Sequence, residues 1–351
     1  MVVPARDEAA MLPLTLPTLL AQSYPGRLSI TIADDHSSDG TGDLARTLAR
    51  AYGANVRASV ITVPTRPQGW AGKVWAMASA LAAARAVGAA PTYWLFTDAD
   101  IAHHPNAVAD LVATAQADRR DLVSLMVRLT AQTPWEKLLV PAFVFFFAKL
   151  YPFSWVADDR RRTAGAAGGC MLVADTALER IGGLQRISGA LIDDCSLAAA
   201  IKAEGGRLRL ELSTQARSVR PYESLSDIWN MVARSAYTQL NASPLLLAGT
   251  IAGMLVLYAL PPLAAIAGVT RRDRTLALGG FTAWALMSAA YLPVLRRYDR
   301  PRWEAPALPF AALMYTAMTL DSGWRHLRGR GGSWKGRIAA RTDVSLTQHH
   351  A

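Results

Sequence analysis

The first hundred residues alternate short apolar runs with amphipathic ones. "MVVPA", "LSITIADD" and "RASVITVP" have the length and β-branched content of strands, as does the run from Tyr93 to Phe96. Between them, "LPLTLPTLLAQS", "TGDLARTLARAYG" and "KVWAMASALAAARAVG" read as helices. Strands and helices taking turns in this way predict a parallel sheet with helices on both faces. In such sheets ligands bind beyond the carboxyl ends of the strands. The loops "PARDE", "DDHSSDGT" and "TDAD" all fall at those ends, so three polar or acidic loops are expected to meet in one cleft.

After Asp100 the pattern continues with a helix in "NAVADLVATAQAD", a strand in "DLVSLMVRL", a glycine-rich entry into the strand "CMLV", and a helix opened by Asp193 and Asp194. Leu138 to Phe153 is apolar and aromatic but too short to span a bilayer, which suits an interfacial or re-entrant helix. From Pro244 the polar punctuation disappears. "PLLLAGTIAGMLVLYALPPLAAIAGV" and "TLALGGFTAWALMSAAYLPVL" carry no charge and come close to or exceed the length needed to cross hydrocarbon. A third run, "APALPFAALMYTAMTL", is shorter and has basic clusters on both sides, so its crossing stays open.

Composition sharpens this picture. Of 351 residues 52% are hydrophobic, too many for an ordinary soluble protein of this length, so part of the chain is expected in lipid. The net charge of +10 is concentrated in Arg clusters beside the apolar runs, which fits the cytoplasmic face of a membrane or an anionic substrate. No basic motif interleaved with aromatics points to nucleic acid. Cys170 and Cys195 are the only cysteines, without metal-ligand spacing, which fits a reducing compartment. No signal peptide is legible at the start.

Several residues are candidates for chemistry. Asp98 and Asp100 follow a buried strand, and in an extended chain residues i and i+2 point to one side, so their mutual repulsion asks for a cation. Turn capping is the alternative reading for the pair. Asp35 is dispensable for the turn built by Ser37, Ser38 and Gly40, and an acid at such a strand end accepts hydrogen bonds from a ribose or a base. Lys73 at a helix start is unfavourable for the dipole unless phosphates lie beside it. Asp193 and Asp194 open a helix, where dipole-favoured capping is the ordinary explanation. Gly168 and Gly169 precede a strand and allow close approach of a backbone or a ligand.

In order, "VVPARDE", "DDHSSDGT", "GWAGK", "TDAD", "GGCMLV" and "DDCSLA", followed by apolar spans, resemble the family 2 inverting glycosyltransferases with a GT-A fold. Within these the chain is most similar to the hopene-associated glycosyltransferases of hopanoid biosynthesis, and more distantly to ceramide glucosyltransferases. The resemblance covers essentially the whole chain. It implies an α/β, Rossmann-like and mainly parallel catalytic domain over residues 1–240, with the interfacial helix near 138–153, then transmembrane helices over 244–321 and a basic tail over 322–351.

The same resemblance implies roles. Pro4, Arg6 and Glu8 fall in the first donor loop, Asp35 on the uridine side and Lys73 at the diphosphate. Asp98 and Asp100 form a D-x-D motif for Mg²⁺ or Mn²⁺, with Asp98 also contacting the donor. Asp194 takes the place of the general base and Asp193 replaces the usual Glu before it. Gly168, Gly169 and Arg234 fall on the acceptor and closing side; Arg234 occupies the Q-x-x-R-W position, although the Gln and Trp are absent. Relatives carry a membrane helix and a longer first strand ahead of the "PARDE" loop, so either the start lies upstream or that anchor is missing here. The expected activity is metal-dependent, inverting transfer of a sugar from a nucleoside-diphosphate sugar, UDP-linked by this reading, to a lipid such as a hopanoid. The expected place is the bacterial inner membrane with the catalytic domain cytoplasmic. The alternatives are a catalytically silent lipid-binding scaffold of the same fold and a nucleotidyltransferase.

Overall fold

The structure is a computed structural model and describes residues 1–52, 56–88 and 90–329, with the backbone of Ser333–Trp334 and Arg337–Ile338. The elements begin with β1 (Val2–Ala5), α1 (Leu12–Leu20), β2 (Ser29–Asp34), α2 (Thr41–Tyr52), β3 (Arg57–Thr62), α3 (Gly72–Ala86), β4 (Tyr93–Thr97) and β5 (Ile101–His103). They continue with α4 (Ala107–Ala117), β6 (Leu122–Arg128), α5 (Pro134–Leu150), α6 (Phe153–Ala157), β7 (Cys170–Ala174), α7 (Asp175–Arg180), α8 (Asp193–Ala203) and β8 (Leu208–Ser218). Then come α9 (Leu225–Ala233), α10 (Ala236–Gln239), α11 (Pro244–Met254), α12 (Leu260–Thr270), α13 (Arg274–Arg297) and α14 (Leu308–Leu327), with the paired strands β9 (Ser333–Trp334) and β10 (Arg337–Ile338).

Two compact units divide the chain. The first comprises Met1–Arg128 and Val156–Val219 and is built on an eight-stranded sheet ordered β3-β2-β1-β4-β7-β6-β8-β5. β3, β2, β1 and β4 run parallel, as the alternating pattern predicts. β1 and β4 are buried along almost their whole length, which explains their unbroken apolar runs, whereas β3 at the edge alternates between half-buried and exposed positions. β7 runs antiparallel to both of its neighbours and β5 runs antiparallel to β8, so the sheet is mixed and mostly parallel. The chain leaves β1 on one side for β2 and β3 and returns on the other for β4. That reversal opens a crevice at the carboxyl ends of β1 and β4.

Pro4 is a correction to the expected donor loop. It lies inside β1, buried and in register with Ala33. Met1 and Ala5 direct their carbonyls to Thr31 and Asp35, so alternate residues face β2 and Pro4 faces β4, where pairing stops at Val2 and Phe96. A strand position needing no donor on that side tolerates proline.

The second unit comprises Leu129–Trp155 and Arg220–Gly332. This division differs from the expected single boundary at 240, because the chain enters the unit early, through α5, and returns to it after β8. α5 starts at Pro134, earlier than the apolar run suggests, because Thr133 and Glu136 form a capping box. Leu139, Ala142 and Phe145 of α5 pack with Ile228 of α9, Leu295 of α13 and Ala311 and Met318 of α14. Tyr315 donates its hydroxyl to the Leu139 carbonyl at 2.8 Å. One face of the expected interfacial helix is therefore core, while Trp135 and Leu150 at its two ends are exposed. The Glu136 carboxylate accepts from the backbone N–H groups of Gln132, Thr133 and Tyr222 and from the Thr130 hydroxyl. Burial opposes ionisation of Glu136, but these hydrogen bonds outweigh it and hold the carboxyl below its usual range.

Two helical stretches of this unit are long and apolar enough to cross a membrane, Pro244–Thr270, continuous through a π turn at Leu255–Ala259, and Arg274–Arg297. Only 22% and 17% of their most apolar windows are buried, whereas the core helix of a soluble protein would be mostly buried. α12 and α13 meet through small residues. A side chain on Gly268 would strike the Ala277 backbone at 2.2 Å, and one on Gly280 would strike that of Ala265 at 2.3 Å. Close backbone approach over small residues is the usual way for helices to associate in lipid. The third apolar run forms α14, which buries Ala311, Ala312, Tyr315 and Met318 and carries Asp321, bonded to Trp229 Nε1 at 2.7 Å. The expected basic tail begins as the last turns of α14; from residue 330 it lies outside the described residues, apart from the backbone of β9 and β10.

Candidate functional site

The loops after β1 and β2 are stitched together. Asp7 N–H donates to Ser37 Oγ, Glu8 N–H to Thr41 Oγ1 and Ala9 N–H to Asp39 Oδ2, while Ser38 N–H donates back to Asp7 Oδ1. Ser37 and Ser38 therefore tie two loops, beyond the turn role expected of them. Arg6 reaches the carbonyl of Asp35 at 2.9 Å and its Oδ2 at 3.3 Å. Asp35 is buried, so the acid expected to face a nucleoside is held by the guanidinium of the neighbouring loop. Glu8 is also buried, and its carbonyl accepts the first turn of α1.

The centre of the site is Lys73. It lies in the first turn of α3, whose N-cap Ala71 supplies no side-chain acceptor. Ala71 N–H bonds to the Ser188 carbonyl at 2.7 Å, fixing this loop to the one that leads into α8. Lys73 Nζ lies 2.9 Å from Asp98 Oδ1 and 3.1 Å from Asp193 Oδ2. Burial opposes its charge, but Asp193, Asp98 and Asp194 outweigh burial and hold the amine above its usual range. Asp194 accepts Gly168 N–H at Oδ2 and Cys195 N–H at Oδ1, both at 2.7 Å. Burial and the neighbouring Asp193 charge push its carboxyl up to about 6, against the pull of Lys73 and of the two amides. A β-carbon on Gly168 would come within 3.1 Å of Lys73 Nζ and 3.2 Å of Asp194 Oδ2, so only glycine leaves both groups undisturbed.

Asp98 and Asp100 do not sit as extended-strand neighbours. β4 ends at Thr97, and the following turn sends Asp98 to Lys73, while Asp100 Oδ2 lies 3.5 Å from Ser218 Oγ at the end of β8. The turn is closed by Ile101 N–H on the Asp98 carbonyl. Burial, with the charges of Asp100 and Asp193, raises the Asp98 carboxyl in spite of Lys73. Three carboxylates, Asp193, Asp98 and Asp194, thus act on one ammonium, and the charge of Asp100 acts on Asp98 beside them, a surplus of negative charge that a divalent cation would offset. Among the described residues no group of three or more His, Cys, Asp or Glu could hold a metal. Two carboxylates with the remaining ligands taken from phosphate oxygens and water is how Mg²⁺ and Mn²⁺ are commonly held at phosphate sites, so the donor set fits such an ion.

A residue without a sequence signal supports this turn. His103 of β5 is buried, and its Nε2 lies 2.9 Å from Thr97 Oγ1, which donates to the Gly169 carbonyl at 2.8 Å. Burial lowers the imidazole to about 4, so it is neutral. The chain His103, Thr97, Gly169 joins the acidic turn to the glycine loop that holds Asp194. Gly168 and Gly169, expected on the acceptor side, thus contact Asp194 and the turn that carries Asp98. Arg234 belongs to the second unit, where it is the exposed C-cap residue of α9.

Among solved structures the chain is similar to the mannosyltransferase PcManGT from Pyrobaculum calidifontis in complex with GDP-Man and Mn²⁺, at 18% identity, covering 93% of this chain and 86% of that one with a TM-score of 0.55. TarS 1–349 of S. aureus with UDP-GlcNAc matches at 14% identity over 94% and 91% of the two chains with a TM-score of 0.43. Glucosyl-3-phosphoglycerate synthase of Mycobacterium tuberculosis with UDP matches at 20% identity over 68% and 78%, with a TM-score of 0.41. The first of these establishes a GT-A-like fold. No curated protein matches the chain. The family model described as glycosyl transferase family 21 matches residues 10–338. This corrects the family 2 of the motif resemblance: the strand-end loops that carry the six motifs report the fold, and the whole-length match separates the families. With its match running through the sheet, the acidic cluster and the apolar helices, the chain belongs to glycosyl transferase family 21.

Proposed function

We propose that this glycosyltransferase moves a sugar, with inversion, from a nucleoside-diphosphate sugar to the hydroxyl of a membrane lipid. The observation that carries the reading is the Lys73 cluster in the crevice at the end of β4, where a base near neutrality and a surplus of carboxylates share one ammonium. Asp194 takes the proton of the acceptor hydroxyl as the new bond to the anomeric carbon forms and the bond to the diphosphate breaks. A carboxyl near 6 is ionised at pH 7.5 and still basic enough to accept that proton. In-line displacement inverts the anomeric centre and needs no covalent enzyme intermediate.

Lys73 and the uncapped amides at the start of α3 bind the diphosphate, the ammonium exchanging part of its carboxylate contacts for phosphate oxygens. Asp98 and Asp100 would hold Mg²⁺ or Mn²⁺, and the chemistry such an ion would supply is neutralisation of charge on the diphosphate. Arg6 and Asp35 shape the nucleoside side and the Gly168 amide holds the base in place. UDP is the nucleotide by this reading, and Mn²⁺ is the ion present in the complex of the mannosyltransferase of similar fold. Asp193 stands in the base pair as the partner that lifts Asp194, and Arg234 is assigned to acceptor closure.

Two little-buried apolar helices support a membrane setting and, with it, a lipid acceptor. A hopanoid is the narrower acceptor proposed from the motif order, with the catalytic unit on the cytoplasmic side of a bacterial inner membrane. The test is to incubate membranes containing the protein with a panel of radiolabelled nucleotide sugars and to extract lipid. Label in one lipid product, lost in Asp194→Asn, supports the reading. Nucleotide-sugar binding without any transfer would favour a silent scaffold.

A further inference from the structure

A cavity of about 310 Å³ lies within the second unit. Its walls are apolar: Leu138 of α5, Tyr291 and Leu295 of α13, and Leu308 and Ala311 of α14. Three charged side chains line it as well. Arg300 donates from Nε to Glu304 Oε2 at 2.9 Å, and these two charges cancel. The Lys137 ammonium has no hydrogen-bond or ion-pair partner among the described residues. The cavity therefore combines a greasy wall with one uncompensated ammonium.

Its position narrows what can fill it. Tyr291 and Leu295 belong to the last two turns of the second membrane-length helix and are followed at once by Arg296 and Arg297. Trp303, which also lines the cavity, is 78% exposed, and Phe310 on the next helix is 54% exposed. Exposed aromatics and arginines at the end of an apolar helix mark the headgroup level of a bilayer. From residue 296 to 304 the chain carries four arginines against Asp299 and Glu304, a net positive segment at the end of this helix.

We infer that this cavity binds one anionic glycerophospholipid, its phosphate against Lys137 and a segment of one acyl chain along Leu138, Tyr291, Leu295 and Leu308. A soluble anion would gain nothing from the apolar walls, and a zwitterionic lipid brings its own cation and gains little from Lys137. An anionic lipid satisfies both parts of the cavity, as basic pockets between helices on the cytoplasmic side do. This rests on the membrane reading given above.

The test uses the full chain in mild detergent, dioleoylphosphatidylglycerol and dioleoylphosphatidylcholine as probes, native mass spectrometry to count retained lipid, and vesicle flotation. The wild type should retain one phosphatidylglycerol in preference to phosphatidylcholine. Lys137→Gln should weaken that retention about fivefold, the effect of one basic residue at a lipid surface. Ala307→Leu, which fills the cavity without altering charge, should displace the lipid. Arg302→Gln removes an exposed charge outside the cavity and should leave retention unchanged. Equal losses in Arg302→Gln and Lys137→Gln, or no preference for phosphatidylglycerol in a protein that floats with both vesicles, overturn the inference alone. A protein that floats with neither vesicle overturns the membrane reading and the inference with it.

Discussion

Replacing Asp194 by Asn separates a base from a helix-capping residue. Asn keeps one acceptor for the Gly168 or Cys195 amide and turns an NH₂ toward the other, a loss of about 1–3 kcal/mol. Against this stands the cost of burying the ionised acid. The folded carboxyl titrates near 6 and an ordinary aspartate at 3.8, an interval of about 3 kcal/mol. Because the folded value is the higher, the fold holds that proton more tightly. The cost is therefore present in full above pH 6 and fades as pH falls toward 3.8. The two effects oppose, so at pH 7.5 the variant should be within about 2 kcal/mol of wild type in stability. Its turnover should nevertheless fall by about 10² to 10⁴. The wild-type rate should show an acid limb near pH 6, losing about tenfold per pH unit below it, and the variant should lack that limb. Asp193→Asn should be milder. Removing the charge that lifts Asp194 should move the limb to lower pH. The assay is initial rate of lipid glycosylation from pH 5 to 8, with donor affinity and thermal midpoint measured on the same preparations. A rate within tenfold of wild type, or an unchanged acid limb in the Asn variant, would refute the assignment of the base; a severe loss in Asp193→Asn alone would reverse the pair.

Four further outcomes are expected. Excess EDTA should abolish transfer and Mn²⁺ or Mg²⁺ should restore it, so undiminished turnover in chelator would remove the metal from the mechanism. The protein should remain in the pellet after a carbonate wash, and its appearance in the supernatant would mean that the apolar helices are packed core. Gly168→Ala pushes a methyl against Lys73 and Asp194 and should lower the rate about tenfold to a hundredfold with little change in thermal midpoint; an unaltered rate would show that the loop yields. His103 binds its proton near pH 4 in the fold and near 6.5 unfolded, so it removes up to about 3 kcal/mol of stability as pH falls through that window. His103→Gln should flatten the difference in thermal midpoint between pH 7.5 and 5, and an identical pH dependence in both proteins would contradict the buried neutral imidazole.

How far these features could be read from the chain depended on whether their cause was local. The parallel half of the sheet was legible because β1 and β4 are buried on both faces and show it as unbroken apolar runs. The acidic loops at their ends followed from topology alone. β8 escaped notice although Leu208, Leu210 and Leu212 alternate with Arg209 and Glu211, since antiparallel closure of β5 depends on a partner more than a hundred residues away. The Asp98 turn was hidden for a similar reason: Lys73 and Ser218 draw the two acids apart, and neither is a sequence neighbour. Asp7 and Asp39 gave no signal because residues of their kind satisfy turns locally, and only the folded loops show them serving each other. The aromatic run of α5 pointed to lipid when half of it is core, because apolarity does not say which apolar surface covers it.

The hydrogen bond from Tyr315 to the Leu139 carbonyl joins residues 176 positions apart, and it sets a delay during synthesis. At about 5–20 residues per second, a ribosome needs roughly 9–35 s to travel between them. Through that interval Leu139, Ala142 and Phe145 have left the ribosome without the α13 and α14 surfaces they finally bury against. The nascent chain carries an unclaimed greasy stripe for far longer than a helix takes to form. Cells making this enzyme must shield α5 until the last apolar helix arrives, so its yield depends on the speed of translation and on the supply of chaperones as much as on the stability of the finished fold.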